Sequence, residues 1–417
     1  MLPEHKILLD FINNRFKVSD LAGLTQENWA TLIFEASRHR LAPLLYSKIK
    51  LAEAESKIPA DVVQKLRKKY LANVYRNTVL FHQLTELVAC LNNQGIPVIL
   101  LKGAHLAEFV YKDIALRPMS DIDILVKEEH LSETVEVAFE AGYCLMSDNF
   151  HGKEKTNKNY NYGIAPDVKH FETLSHPETK CVLEIHCSIA SEVSPFGISP
   201  SELWQDAQPA SLNKNSVFLL SPEDLITHLC LHASYDDLFG YGLGSLYDIA
   251  TTIQHYGTVI DWKKLWRRSV QWRTNRCLCV SLYFVKKWFQ TNFPEEMLEK
   301  FRIDKMVHIT EERIFKASVT ESLDHHFIPK RIRIKIREKI KQMKGVPSSS
   351  TDFMACRNRK SKPFHFLFNS YFFGFCQALK EIFNIVRTAL HREQFFSPLK
   401  RGDNDVLLRK WLTKSYE

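Results

Sequence analysis

The pattern of apolar residues changes near residue 95. Upstream of that point, leucines recur at three- and four-residue spacing, most clearly from Thr78 to Asn93, and predict the apolar face of a helix: Leu80, Leu84, Leu87 and Leu91. Helices are predicted throughout residues 5–93. The run Ile96 to Leu101 is continuously apolar instead, which is typical of a strand buried on both faces. Strands and crossing helices are predicted for residues 95–210, and helices again for 215–300.

A glycine turn follows this first strand. A helix is predicted from Ala104 to Tyr111 directly after Gly103, and the first N–H groups of a helix have no intrahelical acceptor. These N–H groups, the helix dipole and the close approach that glycine permits make a place that can hold phosphate. Lys102 has two interpretations: it reaches the same phosphate groups, or it ends the strand in solvent.

Acidic and aliphatic residues alternate in the segment Asp121-Ile122-Asp123-Ile124. Because strand side chains point to opposite faces in turn, Asp121 and Asp123 share one face while the isoleucines enter a core. Neighbouring carboxylates repel unless a cation lies between them, and Mg²⁺ is a hard ion that carboxylates bind. The alternative is a solvent-facing strand edge that binds no ligand.

A hairpin is predicted from Val168 to Leu174 and from Lys180 to Cys187, because turn-forming residues separate the two runs. Alternation places Glu184 and His186 on the same face of its second strand. Glu184 is therefore a third candidate carboxylate for the site. His170 and His186 are expected to point into the same cleft.

Composition sets the class of protein. The chain has 417 residues, of which 45% are hydrophobic and 25% charged, as expected for a globular protein of several domains. Its nine cysteines include no Cys-x-x-Cys pair, and their odd number argues against a disulfide framework. No run is long and apolar enough for a membrane helix, and the first residues lack a signal-peptide pattern. A cytoplasmic location is predicted.

Charge is distributed unevenly along the chain. The formal net charge is +8, but residues 301–417 contain 24 Lys and Arg against 12 Asp and Glu, so that region carries +12 and residues 1–300 carry −4. Cations concentrate at Lys330 to Lys341 and aromatic residues at Phe364 to Phe375. The basic tail suits an anionic membrane surface at the inner face of the cell membrane, and nucleic acid less well. A solvated basic helix is the alternative.

Three motifs together resemble a known family. They are Leu101-Lys102-Gly103, Arg117-Pro118 followed by Asp121-Ile122-Asp123-Ile124, and Leu183-Glu184-Ile185-His186. The order resembles the polymerase-beta-type nucleotidyltransferase superfamily, and more narrowly its uncharacterised bacterial nucleotidyltransferase branch. Segments outside the site are also similar to that branch, including His39 to Leu45 and Leu246 to Ala250. Well-characterised members carry Gly-Ser in the turn, whereas this chain has Gly103-Ala104.

The resemblance implies a fold and a division of the chain. The expected class is α+β, with a small mixed sheet of nucleotidyltransferase type flanked by N-terminal and C-terminal helical regions. The expected divisions are an N-terminal helical region at 1–94, a catalytic core at 95–212, a helical domain at 213–300 and a basic, aromatic-rich helical tail at 301–417.

The resemblance also implies roles for the site residues. Asp121, Asp123 and Glu184 would be the catalytic and metal-binding carboxylates, with Glu184 either a metal ligand or the general base, and Gly103 would lie at the nucleotide-binding turn. Two cations beside these motifs, Lys102 and Arg117, are further candidates for nucleotide binding. Arg117 has an alternative interpretation, in which it only pairs with nearby acids. Two Mg²⁺ ions are expected, with Mn²⁺ as an alternative. The expected activity moves a nucleoside monophosphate from a nucleoside triphosphate to a hydroxyl of a small molecule, saccharide or protein. The alternative is a catalytically degenerate scaffold that only binds a nucleotide or partner.

Overall fold

Seven strands form one mixed sheet, and helices precede, cover and follow it. The computed structural model describes residues 3–17, 21, 23–146, 168–299, 301–315 and 401–414. Residues 1–316 and 403–417 belong to one compact unit. The basic segment Lys330 to Lys341 and the aromatic segment Phe364 to Phe375 lie outside the described residues.

The described residues from Pro3 to Asn93 form helices and their connections, as the sequence predicts. The helices are α1 (Pro3–Ile12), α2 (Gln26–Arg38), α3 (Ala42–Leu51) and α4 (Ala60–Asn93). Thr25 caps α2, because its hydroxyl accepts from the N–H of Asn28 while the Asn28 side chain accepts from the N–H of Thr25. The four leucines of the predicted apolar face on α4 are fully buried. The 34 residues of α4 thus connect the N-terminal helices to the sheet.

The strands are short, and four of the six neighbouring pairs in the sheet join strands that are consecutive in the chain. They are β1 (Ile99–Leu100), β2 (Ile122–Leu125), β3 (Cys144–Leu145), β4 (Leu174–Ser175), β5 (Val182–His186), β6 (Gln208–Leu212) and β7 (Asn215–Leu219). Their order is β3-β4-β5-β2-β1-β7-β6. The pairs β2·β5 and β1·β7 are parallel and the other neighbours are antiparallel. The α+β class and mixed sheet are confirmed.

Two predictions of secondary structure were wrong at the ends of the predicted elements. Residues 215–219 were expected to be helical but form β7, which pairs with β6 through a two-residue turn at Asn213 and Lys214. Both turn residues have positive φ, 47° and 72°, as type I′ hairpins require. The buried strand expected over Ile96 to Leu101 is reduced to the two residues of β1.

The remaining helices cover the sheet and continue beyond it. They are α5 (Lys102–Ala104), which runs into a π-helical turn at His105–Val110, α6 (Leu131–Glu140), α7 (Pro200–Gln205), α8 (Pro222–Leu231), which runs into a π-helical turn at His232–Asp236, α9 (Leu243–Tyr256), α10 (Trp262–Gln271), α11 (Asn275–Phe289), α12 (Glu296–Glu299), α13 (Lys305–Phe315) and α14 (Arg401–Leu412). Among the described residues, none of the helices is both long and apolar enough to cross a membrane.

Two hydrophobic cores hold the unit together. The first is shared by α1–α3 and the helices after the sheet, from Leu8 and Trp29 to Leu282 and Leu412. The second lies between α4, the sheet and α6. The C-terminal helix joins the first core through Leu408 and Leu412.

Polar contacts fix the C-terminal helix to the unit as well. The Trp411 Nε1–H donates to Asp304 Oδ2 at 2.7 Å, and Arg313 forms an ion pair with Asp405. The chain therefore leaves the unit after α13 and returns to it at α14, next to the point of departure.

Candidate active site

The central carboxylates lie on two neighbouring parallel strands. In the register of β2 and β5, Asp123 is directly opposite Glu184. The alternate side chains Ile122, Ile124 and Leu183 are fully buried on the other face of the sheet. This arrangement follows from the period-two patterns in both segments, because burying the aliphatic residues directs both acids to the same face. Asp121, just before β2, is half-buried and its Oδ1 accepts from the Ser120 hydroxyl at 3.0 Å.

Lys102 binds the inner carboxylate. Its Nζ donates to Asp123 Oδ1 at 2.7 Å, and both side chains are almost completely buried. The position follows from the sheet, since Leu101 N–H donates to the carbonyl of Asp123 as β1 ends beside β2. Lys102 has a positive φ of 31°, an uncommon backbone conformation for a residue with a side chain. Of the two interpretations offered by the sequence, the structure excludes the solvated strand end.

Two histidines complete the inner part of the site. His186 Nε2 lies 3.0 Å from Asp123 Oδ1 and 3.6 Å from Glu184 Oε2. His170 bridges to His186 across the β4–β5 hairpin, and its Nε2 lies 3.8 Å from the same Glu184 oxygen. The two rings meet edge to face with centroids 5.2 Å apart. The two histidines thus lie side by side next to Glu184, with His186 buried.

The carboxylates differ in their ease of ionisation. Burial opposes the charge on Asp123, but the Lys102 ammonium and the His186 hydrogen bond outweigh it and hold the pKa well below its ordinary value. Burial and the nearby charge of Asp123 raise the pKa of Asp121. Burial works against ionisation of Glu184, yet the hydrogen bond with His186 lowers its pKa. Asp121 is therefore the carboxylate that gains most from an added positive charge.

The donor set fits a divalent cation. Among the residues that the structure describes, Asp123, Glu184 and His186 each offer a ligand atom, and these atoms lie within 4.8 Å of one another. Asp121 is not one of these three residues; burial and the charge of Asp123 raise its pKa, and a cation held by the set would reduce that repulsion. Oxygen donors suit Mg²⁺, and the imidazole of His186 also suits Mn²⁺.

A second histidine and glutamate cluster is structural. Ligand atoms of His5, Glu35 and His39 also lie within 4.8 Å of one another. The guanidinium of Arg38, however, donates to Glu35 Oε2 at 2.6 Å and lies 2.7 Å from His39 Nε2. His5 Nε2 also lies 2.8 Å from Glu35 Oε2, so these contacts join α1 to α2.

The predicted nucleotide-binding turn is tightly packed. A Cβ on Gly103 would meet two side-chain carbons of Met119 at 3.2 Å and Arg117 Nη1 at 3.3 Å, so the turn needs glycine there. Arg117 pairs with Asp248 on α9, with Nη2–Oδ2 at 3.0 Å. Tyr111 donates its hydroxyl to Asp248 Oδ1 at 2.7 Å. Arg117, which precedes β2, is thus bound to a residue of α9 that lies 131 positions later in the chain.

A cleft opens beside these residues. It is lined by Arg40, Arg117, Tyr241, Gly244, Ser245 and Asp248, among others. Sequence reasoning assigned no role to Arg40, Tyr241 or Asp248. The only signal was that His39 to Leu45 and Leu246 to Ala250 resemble segments of the same branch.

A mixed sheet that presents carboxylates from adjacent parallel strands, beside a glycine turn, defines a nucleotidyltransferase-type site. The chain belongs to the uncharacterised nucleotidyltransferase family, whose sequence model matches residues 25–290. The predicted family and enzyme class are confirmed: the protein is a nucleotidyltransferase, and members of this class move a nucleoside monophosphate from a nucleoside triphosphate.

One solved structure is similar over part of the chain. It is that of the antibiotic-resistance factor ANT(2'')-Ia, with 13% identity and a TM-score of 0.31, covering 46% of this chain and 91% of that protein. A TM-score this low adds no argument about substrate or site. No curated protein matches the sequence.

Proposed function

We propose that this protein transfers a nucleoside monophosphate from a nucleoside triphosphate to a hydroxyl acceptor at a divalent-metal site built on Asp121, Asp123 and Glu184. The observation that carries the proposal is the register that sets Asp123 directly opposite Glu184 on adjacent parallel strands. The acceptor is proposed to be a small molecule, a saccharide or a protein.

The residues of the chain have separate tasks in this reaction. The carboxylates would hold Mg²⁺ or Mn²⁺, two ions by resemblance, which when bound neutralise charge on the phosphates. The acceptor oxygen forms a bond to the α-phosphorus, the bond from that phosphorus to pyrophosphate breaks, and the hydroxyl proton leaves to a base. Glu184 is ionised at neutral pH, since its pKa is lowered, and can serve as that base or as a ligand.

Lys102 and Arg117 act on either side of the Gly103 turn in this proposal. Lys102 keeps Asp123 ionised and oriented through its 2.7 Å contact. Arg117 packs beside Gly103 and is fixed by Asp248, so the turn keeps its shape when phosphate approaches. Positioning of this kind supplies much of the catalysis in phosphoryl transfer.

A second candidate function is favoured by one specific observation. Lys102 already neutralises Asp123, and Ala104 stands where well-characterised members have serine. A site whose inner carboxylate is satisfied by lysine can bind a nucleotide or a partner without catalysis. In this scaffold function, the protein binds nucleoside triphosphates but releases no pyrophosphate with any metal.

Pyrophosphate release from each nucleoside triphosphate, with Mg²⁺ or Mn²⁺ and a panel of hydroxyl acceptors, tests the proposal. Asp123→Asn should reduce the rate at least about 100-fold, because it removes a metal-binding carboxylate. Asp61→Asn is the matched control, since Asp61 is exposed on α4 and pairs only with Lys65. Release that is equally fast in wild type and Asp123→Asn would contradict the proposed site. Nucleotide binding without release would establish the scaffold instead.

Location is part of the same proposal. We place the protein in the cytoplasm, with the basic region 301–417 in contact with anionic lipid at the inner membrane face, on the basis of its +12 charge and aromatic content. Sedimentation with vesicles that contain anionic lipid, compared with neutral vesicles, tests that contact.

A further inference from the structure

Arg40 forms no ion pair with a carboxylate among the residues that the structure describes. Its guanidinium stacks on the Tyr241 ring, with the guanidinium carbon 3.6 Å from the ring centroid. Its Nη2 is buried and has no hydrogen-bond partner among the described residues. A buried guanidinium donor that lacks an acceptor is costly, so such a donor usually serves a ligand or an acid.

The acids of the same cleft are already satisfied. Asp248 accepts from both Arg117 and Tyr111, and His232, also in the lining, pairs with Asp236 and Asp237. No carboxylate that lines the cleft therefore bonds Arg40 within the described chain. The remaining charge of the cleft is positive.

The first turn of α9 forms the wall next to Arg40. Gly244 and Ser245 line the cleft, and the residue that precedes the helix, Gly242, has no side chain with which to cap it. The turn is held close to Arg40 because Leu243 N–H donates to His39 Nδ1 at 2.9 Å and a Cβ on Gly244 would lie 2.2 Å from the His39 carbonyl oxygen. The positive end of the α9 dipole therefore lies beside the guanidinium.

The cleft is close to the catalytic carboxylates. Arg117 lines the cleft, and its Nη1 would lie 3.3 Å from a Cβ on Gly103, which directly follows Lys102, the residue that bonds Asp123. We infer that Arg40, Tyr241 and the first turn of α9 form a binding subsite for a phosphate-bearing ligand next to the carboxylate site. The phosphate belongs either to the nucleoside triphosphate or to a phosphorylated acceptor. Only this choice between the two ligands rests on the proposed transfer function; the binding of phosphate does not.

Calorimetric titration of the full chain in metal-free buffer tests the subsite without requiring turnover. The probes are inorganic tripolyphosphate, a nucleoside triphosphate, a sugar phosphate monoester and an uncharged nucleoside. Arg40→Gln should weaken tripolyphosphate binding at least about tenfold, since it removes a charge-assisted hydrogen bond. Arg40→Lys should keep part of the affinity, and Arg267→Gln, which alters an exposed arginine of α10, should keep all of it.

The two sources of phosphate give different results. Tighter binding of tripolyphosphate and nucleoside triphosphate than of the monoester assigns the subsite to the nucleotide, and comparable binding of the monoester assigns it to an acceptor. Asp123→Asn should leave tripolyphosphate binding in metal-free buffer intact even if it abolishes pyrophosphate release. A wrong subsite can therefore be distinguished from a wrong reaction.

A measurement on the wild type covers the case in which Arg40→Gln does not fold. Phenylglyoxal modifies arginines, and mass spectrometry reports the adduct at each position. Tripolyphosphate should protect Arg40 and leave modification of Arg267 unchanged. Wild type that binds none of the phosphate probes, Arg40→Gln that binds them as wild type does, or an Arg40 that tripolyphosphate does not protect would each overturn the inference.

Discussion

Replacing Lys102 by methionine tests how strongly the site depends on its own cation. The substitution keeps most of the side-chain volume but removes the ammonium that bonds Asp123 at 2.7 Å in a buried position. Removing one partner of a buried ion pair costs about 3–5 kcal/mol. Because His186 still contacts Asp123 at 3.0 Å, we expect the lower end, about 3 kcal/mol.

This free energy converts to a measurable shift in melting temperature. For the unit of roughly 330 residues, the entropy of unfolding is about 0.7 kcal/mol per kelvin, so Lys102→Met should lower Tm by about 4 °C at pH 8. Lys65→Met is the control, because Lys65 and Asp61 form an exposed pair with 58% and 49% of their side chains accessible. That pair contributes at most about 1 kcal/mol, and its loss should move Tm by about 1 °C or less.

The effect of Lys102→Met should depend on pH in a defined direction. The pKa of Asp123 is held below its ordinary value, so the pair stabilises the fold above the unfolded pKa of about 4 and loses this contribution as pH falls through the lower folded value. The raised pKa of Lys102 keeps the contribution up to about pH 10. The Tm difference should therefore be constant from about pH 5 to about pH 10 and shrink as pH falls below about 4. A variant as stable as wild type at pH 8 would refute the reasoning.

Three further outcomes follow from single contacts. Mg²⁺ should raise the Tm of Lys102→Met more than that of wild type, since a dication replaces the lost charge; equal shifts would argue against a shared cation position. Gly244→Ala should lower Tm by several degrees and weaken tripolyphosphate binding, because its Cβ would lie 2.2 Å from the His39 carbonyl oxygen, whereas Gly23→Ala, with nothing within 4 Å, should do neither. In a variant with serine at positions 356 and 376, Ellman's reagent at pH 8 should label exposed Cys90 quickly. Burial raises the pKa of Cys277 and Cys279 to about 12, so these two thiols should react slowly. Rapid labelling after the further substitution Cys90→Ser would contradict this.

The parts of the site that the sequence predicted are those set by local periodicity. Alternation in β2 and β5 is strict because each strand buries one face, so the orientation of Asp123, Glu184 and His186 could be predicted from a few residues. The helical spacing of the α4 leucines was equally informative.

The parts that were missed depend on contacts between distant residues. Arg117 bonds Asp248, and Arg40 stacks on Tyr241 about 200 residues later, and no periodic pattern encodes such partners. The β6–β7 hairpin was missed for a local reason, since its turn is Asn213-Lys214 instead of a glycine-containing pair. Asn is common in left-handed backbone conformations, whereas Lys is not a signal for one.

The return of the chain at α14 also bears on how the basic region can be studied. Because Arg313 meets Asp405 and Leu412 enters the first core, the stretch between α13 and α14 is anchored at both ends in one folded unit. It is an insertion that can be excised, with a short flexible linker joining the two anchors. Truncation after residue 315 would instead remove α14 and expose apolar side chains of the first core. Excision therefore separates a test of the proposed lipid contact from a test of the proposed catalysis better than truncation does.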